Sequence, residues 1–397
     1  MGWLSNPFQR LRLSHPFARR ISFALLIFLL AFAARVHLAN TGRLEYDEKD
    51  YAKAAVQYAN YLKIGDWNSI VQDDFNYEHP GFFKLVYGLA VLPSSPQKLL
   101  DLSMNFSVRQ HKESDRVVAL RRVSVGFGSL AVFLLALANP LAGLFLAVHT
   151  FAVKYTSVIY LEALPMFSAL LSLQAFSAFL KRGPGKRGVV WLILSAAALG
   201  ITAASKYVYA LIGVVILVYS IFWMLRRRRS FISSLALWGA ASLLIFWAVD
   251  PYLWANPVQR LSDSLQFNID FSQGPAIKYT AYPVWQPVIW LLKSMPQQQY
   301  TLTPFFLQPG DFWVAIDTWI FWLGVIGLPL MLKRSPEYFL WLVIGIGFLL
   351  VWSTKWPQYV MLVLPPLCLA AAYGVQSLFL VGKMIWHKLQ PPGSKVS

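Results

Sequence analysis

The sequence predicts an all-α polytopic membrane protein, and two observations carry this prediction. Of the 397 residues, 57% are hydrophobic and only 13% are charged, and the mean hydropathy is +0.50. Soluble domains carry about 25% charged residues, so most of this chain is not solvated by water. Several apolar runs also reach about 20 residues, the helical length that crosses a hydrocarbon core of about 30 Å.

Ten apolar segments are predicted transmembrane helices. The first, at 20–38, is followed by no small-residue cleavage site, so we interpret it as a retained helix rather than a signal peptide. The other nine lie at 117–138, 140–154, 157–180, 189–205, 207–225, 231–249, 313–332, 337–352 and 358–380. The segment at 140–154 is short and contains His149, and whether it fully crosses the membrane is left open. The single cysteine, Cys368, excludes an intrachain disulfide and a cysteine metal cluster.

Basic residues set the predicted orientation. With ten spans and both termini in the cytoplasm, the cytoplasmic side holds 17 Lys/Arg residues and one acid, Glu337. The outer side holds 18 Lys/Arg residues and 17 acids. This asymmetry is typical of membrane proteins, whose inner loops are basic. The net charge of +17 is therefore a topology signal. The expected partner is the bilayer, and a nucleic acid is not needed to explain the charge.

Two outer segments are too long and too polar to be simple connectors. They cover 39–116 and 250–312 of what is otherwise a single transmembrane domain over 1–397. Long loops with an ordered structure are usually functional. We therefore expect amphipathic helices and the candidate site in the first outer loop.

An acidic segment opens the first outer loop. After Asp47 and Glu48, apolar residues recur at helical spacing from Tyr51 to Leu62, which predicts a helix that stops near Gly65. Asp47 would lie at the helix N-terminus, where the helix dipole favours an ionised carboxylate. The spacing alone favours a simple capping role for Asp47, with a second aspartate three residues later.

Three motifs of this loop together resemble the GT-C glycosyltransferases. They are Asp-Glu-x-x-Tyr-Ala at 47–52, Gly-Asp-Trp at 65–67 and Tyr-Glu-His-Pro at 77–80. The most similar groups are the family 39 protein O-mannosyltransferases and the bacterial aminoarabinose transferases of lipid A, which use a polyprenyl-phosphate-linked sugar as donor. The resemblance implies a GT-C fold, with Asp47 as the catalytic residue and Glu48 in support.

The resemblance continues more weakly along the chain. Arg-Arg-Val-Ser at 121–124 opens the second span, Ser-Lys-Tyr at 205–207 ends the fifth, and Asp-Pro-Tyr-Leu-Trp at 250–254 opens the second outer loop. Five residues are implied to contact the carrier phosphate or the substrate, namely Lys206, Arg122, Arg121, His79 and Tyr51. The His-Pro-Gly of 79–81 departs from the Lys-Pro-Pro or His-Pro-Pro of many relatives.

Several residues keep a second interpretation. Lys206 is equally typical of a lysine that anchors a helix end at the membrane surface. Asp73 and Asp74 are the weaker candidates for a metal site, because hard cations require several oxygen ligands. Glu162 lies in the fourth predicted span, where an ionisable residue indicates function, with Lys154 as its alternative partner.

The chemistry of such a reaction requires a base for the acceptor hydroxyl and cations for the departing phosphate. We therefore expect an inverting hexosyl or pentosyl transferase. Its acceptor, a protein, lipid or glycan, would lie on the outer face of a bacterial cytoplasmic membrane. The lipid-linked donor is the expected substrate, and a divalent metal is the less favoured addition. A carrier or flippase of lipid-linked sugars and an inactive scaffold are the alternatives. A transporter would be expected to place its ionisable residues near the membrane midplane.

Overall fold

A computed structural model describes residues 15–42, 44–93, 115–227, 231–280, 282–294 and 312–389. These residues are predominantly helical and contain no β-strand, which confirms the predicted all-α class. The α-helices are α1 His15–Thr41, α2 Glu48–Ile64, α3 Trp67–Gln72, α4 Gly81–Val91, α5 Asp115–Ala138, α6 Pro140–Val148, α7 Thr150–Tyr155, α8 Ala163–Arg182, α9 Lys186–Ser205, α10 Leu211–Arg227, α11 Ile232–Val249, α12 Pro257–Ser272, α13 Pro275–Thr280, α14 Gln286–Leu292, α15 Phe312–Arg334, α16 Pro336–Val351 and α17 Leu364–Leu389. Short 3-10 helices lie at Tyr207–Ala210, Pro251–Leu253 and Pro357–Leu362.

Within the described residues, eight helical stretches are long and apolar enough to cross a membrane, and they match eight of the ten predicted spans. They are α1, α5, α8, α9, α10 with the 3-10 turn before it, α11, α15 and α17. The predicted span at 337–352 corresponds to α16, which is apolar but has only 16 residues. The predicted span at 140–154 is not one helix, because the helix is interrupted between α6 and α7.

The break lies at His149, whose backbone is extended with φ −61° and ψ 125°. A broken helix leaves backbone groups without partners at both new ends. The Thr150 N–H donates to both carboxylate oxygens of Asp317 on α15, at 3.1 and 3.3 Å. At the other end, the buried Arg35 guanidinium of α1 donates to the last carbonyls of α6 at 3.3 and 3.4 Å. Each charge therefore lies where the helix dipole favours it.

The two short helices together run along α1. The Arg20 guanidinium donates to the carbonyl of Ala138, just before α6. At the far end, Lys154 in α7 forms an ion pair with Glu45, just after α1, with an N–O distance of 3.0 Å. The segment 140–155 thus extends over the same length as the first span. We infer that it crosses the bundle and that the turn after α7 reaches the first outer loop.

Helix α2 forms as the sequence predicts. It ends at Gly65, which has the left-handed φ of 72° that glycine adopts without strain. Its predicted apolar face is buried against α4. A Cβ atom at Gly88 of α4 would lie 2.8 Å from the carbonyl oxygen of Ala55, so the two helices approach closely because this residue is glycine.

The second outer loop is docked on the first through α12. Three α12 residues spaced four apart share one face of the helix, and their side chains donate hydrogen bonds to carbonyl groups of the first loop. The three donors are Arg260, Ser264 and Asn268, and their acceptors are Val71, Tyr77 and Glu78 respectively. The two long outer segments therefore form one layer over the end of the helical bundle.

Candidate active site

Asp47 occupies the N-cap position of α2, but its side chain makes no capping hydrogen bond. The Tyr160 hydroxyl hydrogen-bonds to its carboxylate instead, and the Lys206 ammonium lies close enough to stabilise its charge. Burial raises the pKa of Asp47, and these two groups oppose that rise. The carboxylate is thus directed toward the end of the bundle, where residues from three other segments meet, rather than toward its own helix.

Lys206 follows the last residue of α9, and its ammonium donates to Oε1 of Glu162, which immediately precedes α8. Both side chains are buried. The ammonium also lies 4.9 Å from the ring centroid of Tyr359, a cation–π contact. Oε2 of Glu162 has no hydrogen-bond partner among the described residues. We call Asp47, Tyr160, Glu162 and Lys206 the acid–lysine centre.

The alternative partner that the sequence suggested for Glu162 is wrong. Lys154 pairs with Glu45, while Glu162 pairs with Lys206. Burial raises the pKa of Glu162, and the charge and hydrogen bond of Lys206 lower it.

Tyr51 and His79 line one side of the centre. The Tyr51 hydroxyl lies 3.3 Å from Nε2 of His79, and its ring meets the Tyr160 ring edge-on at 5.9 Å. Burial is the main reason that the pKa of His79 is lowered to about 3, and the positive charges of Lys206 and Lys84 lower it further. The imidazole is therefore neutral at pH 7, so the positive charge of this centre comes from Lys206.

Glu48 and Arg121 form an ion pair with each other and are not members of the acid–lysine centre. The fully buried Glu48 carboxylate accepts from Nε and Nη2 of Arg121 at 2.9 and 2.8 Å. It also accepts from the backbone N–H groups of Ile159 and Glu45 at 2.7 and 2.8 Å. Arg121 donates further to carbonyls at the end of α1. The Glu48–Arg121 pair therefore connects α5 to the start of α2 and to the segment that contains Ile159. Arg122, the next residue, is exposed.

The two weaker metal candidates lie elsewhere in the first loop. Asp73 is largely buried, and its Oδ1 accepts from the Phe75 N–H at 2.8 Å, whereas Asp74 is exposed. Burial raises the pKa of Asp73, and the nearby Lys84 lowers it. Across the part of the chain that the structure describes, no group of three His, Cys, Asp or Glu side chains is arranged to hold a metal.

Two motifs that are distant in sequence meet at Gly81. Its N–H, at the start of α4, donates to Oδ1 of Asp250 at 2.8 Å. A Cβ atom at this position would lie 2.9 Å from that same oxygen, so a larger residue would have to displace the Asp250 carboxylate. This contact favours glycine in the His-Pro-Gly motif. Burial raises the pKa of Asp250 to about 7, and its Oδ2 has no hydrogen-bond partner among the described residues.

The sequence analysis did not identify Tyr160 of the centre or Tyr359, whose ring contacts Lys206. Tyr160 lies two residues before Glu162, which the sequence did single out as an ionisable residue in an apolar segment. Tyr359 lies in a 3-10 helix more than 150 residues after Lys206, and no pattern of the sequence connects the two.

The fold is similar to that of solved GT-C membrane proteins. ArnT of Cupriavidus metallidurans in the apo state, a lipid A aminoarabinose transferase, is similar with a TM-score of 0.53 and 17% identity. The match covers 94% of this chain and 62% of ArnT. The archaeal oligosaccharyltransferase AglB of Archaeoglobus fulgidus, in complex with an inhibitory peptide and a dolichol-phosphate, is similar with a TM-score of 0.54 and 12% identity. That match covers 98% of this chain and 53% of AglB.

At these identities the likeness shows the fold, and the chain spans only about half to two thirds of the length of these proteins. No protein-family model matches the sequence, and no curated protein matches it either.

Proposed function

We propose that the chain is a glycosyltransferase that moves a sugar from a polyprenyl-phosphate donor to an acceptor hydroxyl at the outer face of the membrane. The observation that carries the proposal is the acid–lysine centre. It combines a half-buried carboxylate that does not cap its helix with a buried ammonium near it, at one end of a bundle of membrane helices. The GT-C fold supports the same function.

The proposed roles of Asp47 and Lys206 follow from their opposite charges. Asp47 takes the proton of the acceptor hydroxyl while the oxygen attacks the anomeric carbon of the donor. The bond between that carbon and the phosphate oxygen breaks, and the polyprenyl phosphate leaves with the electron pair. A single displacement of this kind inverts the anomeric configuration. The hydrogen bond from Tyr160 keeps the Asp47 carboxylate oriented for the transfer.

Lys206 is the proposed partner of the departing phosphate. An ammonium has three N–H donors, and Glu162 accepts from one of them. Two donors remain for phosphate oxygens, and burial strengthens such charged hydrogen bonds. Glu162 and the ring of Tyr359 hold the ammonium in position before the donor arrives.

A carrier of lipid-linked sugars is the second candidate, and one observation favours it. The span formed by α6 and α7 is broken inside the bundle beside Asp317, and broken helices occur at the binding sites of many transporters. However, Arg35 and Asp317 bind backbone groups on the two sides of this break, as expected for a structural role.

The two functions are separated by incubating the full chain in lipid nanodiscs with polyprenyl-phosphate mannose, glucose and aminoarabinose, each labelled in the sugar. A transferase releases polyprenyl phosphate in step with the appearance of labelled product when a membrane extract supplies the acceptor. A carrier releases none but moves the intact donor across the bilayer of a proteoliposome. Translocation without release of carrier phosphate would contradict the transferase proposal.

A further inference from the structure

A cleft of about 1000 Å³ opens between the first outer loop and α12, next to the acid–lysine centre. One of its wall residues, Asp50, lies one helical turn after Asp47, and its N–H donates to the Asp47 carbonyl at 3.1 Å. Another, Glu78, immediately precedes His79. The cleft is at the upper end of the usual size of a ligand site, and two of its wall residues adjoin residues of the proposed reaction centre in the chain.

Five carboxylates line this cleft, namely Asp50, Asp74, Glu78, Asp263 and Asp270. None of them has a salt-bridge partner among the described residues. The partners of three of them are neutral amides, Asn76 for Glu78, Gln259 for Asp263 and Gln266 for Asp270, at 2.6 to 2.8 Å. A carboxylate accepts several hydrogen bonds, so each keeps acceptor capacity for a ligand.

Aromatic rings form most of the rest of the wall. They are Phe75, Tyr77, Tyr252, Phe267 and Phe271, and the Lys53 ammonium lies 4.4 Å from the centroid of the Phe75 ring. Phe271 is 40% exposed and lies parallel to Phe267, with the ring centroids 6.2 Å apart and an interplanar angle of 8°. Asn76 also lines the cleft, in a left-handed conformation with φ 57°, and its buried side-chain oxygen has no hydrogen-bond partner among the described residues.

We propose that this cleft binds the acceptor and that the acceptor is a carbohydrate, uncharged or bearing amino groups, without phosphate or carboxylate groups at the bound sugar. The proposal rests on the proposed function. Hydroxyl and ammonium groups donate to the carboxylates, and the apolar C–H faces of sugar rings pack on exposed aromatic rings. An anionic acceptor would meet five carboxylates, none of which forms a salt bridge with a described residue, and such like-charge contacts are strongly unfavourable.

Helix α12 uses different faces to dock on the first outer loop and to line the cleft. Residues 260, 264 and 268 dock the helix on the first loop, while Asp263, Phe267 and Asp270 form the cleft wall next to them. Ser262 lies on the opposite side of the helix and lines an apolar groove toward α11. It therefore offers a matched control position, exposed on the same helix but outside the cleft.

The test is saturation-transfer NMR on the full chain with Asp47→Asn in nanodiscs, so that no turnover occurs. The probes are methyl glucoside, methyl glucosaminide and glucose 6-phosphate. The first two are expected to bind, and the phosphate at least about tenfold more weakly. Phe271→Ala should weaken the two binders roughly two- to tenfold, whereas Phe271→Tyr and Ser262→Ala should not. Replacing both Asp263 and Asp270 by Asn should reduce the discrimination against the phosphate.

Equal binding of all three probes, or binding of none, would overturn the acceptor assignment, as would Phe271→Ala and Ser262→Ala having the same effect. These results are distinguishable from failure of the transferase proposal, because glycoside binding requires no donor and no transfer.

Discussion

Asp47 and Glu48 are neighbours in the chain, yet their carboxylates have opposite surroundings. Glu48 is fully buried and accepts four hydrogen bonds, two from Arg121 and two from backbone N–H groups. Asp47 is half-buried and faces a tyrosine hydroxyl and a lysine. A saturated carboxylate has no lone pair left for a substrate. We infer that Glu48 stabilises the site and that Asp47 carries out its chemistry.

The two buried acid–cation pairs differ in the same way. Arg121 is a planar guanidinium whose donors are directed at Glu48 and at carbonyls of the first span and the loop after it. Lys206 shares a single contact with Glu162, and one Glu162 oxygen has no partner among the described residues. An arginine suits a fixed bidentate contact, whereas a lysine ammonium can shift to a new anion. The Glu48–Arg121 pair therefore stabilises the structure, whereas Lys206 is able to exchange Glu162 for another anion.

The largest expected effect is on the rate of transfer in Asp47→Asn. The amide keeps the shape of the side chain but cannot take the acceptor proton, so transfer should fall by about 10²–10⁴-fold. Donor binding and folding should persist, since the side chain makes no capping bond. Steady-state transfer and donor binding measure the two quantities.

Asp66→Asn is the matched control for Asp47→Asn. Asp66 also occupies an N-cap, and its side chain does cap its helix, accepting from the Ser69 N–H at 2.9 Å. Asparagine caps about as well as aspartate, so this variant should transfer at nearly the wild-type rate. Near-normal transfer by Asp47→Asn as well would show that the base lies elsewhere.

Glu48→Gln should mainly affect stability. The amide nitrogen replaces an acceptor with a donor, and Arg121 is left as a buried charge without its anion. Loss of one partner of a buried pair typically costs about 3–5 kcal/mol. Unfolding in mixtures of mild detergent and SDS measures the loss. Glu45→Gln, which breaks the half-exposed pair with Lys154, should cost at most about 1 kcal/mol. A Glu48→Gln variant of normal stability but without activity would contradict the structural role.

Lys206→Met should weaken donor binding. It also leaves the buried Glu162 without its cation, so the pKa of that carboxyl should rise and the group should take up a proton. The substitution removes a charged hydrogen bond to the carrier phosphate, so donor binding should weaken by about 1.5–3 kcal/mol, or about tenfold to more than a hundredfold. Titration with a polyprenyl phosphate in nanodiscs measures it. Lys154→Met, at the same end of the bundle, is the control and should bind the lipid normally. Equal binding by both variants would limit Lys206 to a structural ion pair with Glu162.

A further expected effect is a change in the pH dependence of stability. The pKa of Asp250 is raised to about 7 in the folded chain, from an ordinary value of 3.8. Between these values the unfolded chain is ionised while the folded chain holds the proton, so this residue lowers stability as pH rises from about 4 to 7. Asp250→Asn still accepts from the Gly81 N–H and should show a shallower decline, measured by thermal unfolding from pH 4 to 8. An unchanged slope would contradict the raised pKa.

Much of the architecture could be predicted from the sequence. Hydropathy identified eight helices that the structure contains at the predicted positions, and the helical spacing after Asp47 together with Gly65 identified α2 and its end. The acidic motif at Asp47 also marked the N-terminus of α2, as predicted. These features depend on residues within one helix length of each other, so local composition and periodicity suffice to determine them.

The tertiary structure decided which charged groups meet. Glu48 and Arg121 are 73 residues apart and Glu162 and Lys206 are 44 apart, and local spacing contains no information about such pairs. The break at His149 is similar, because its stability depends on Arg35 and Asp317 from two other helices. A buried charge must find its partner wherever packing brings one within hydrogen-bond distance. The sequence thus determined the helices and the acidic motif, whereas helix packing decided which carboxylate became structural and which remained available for chemistry.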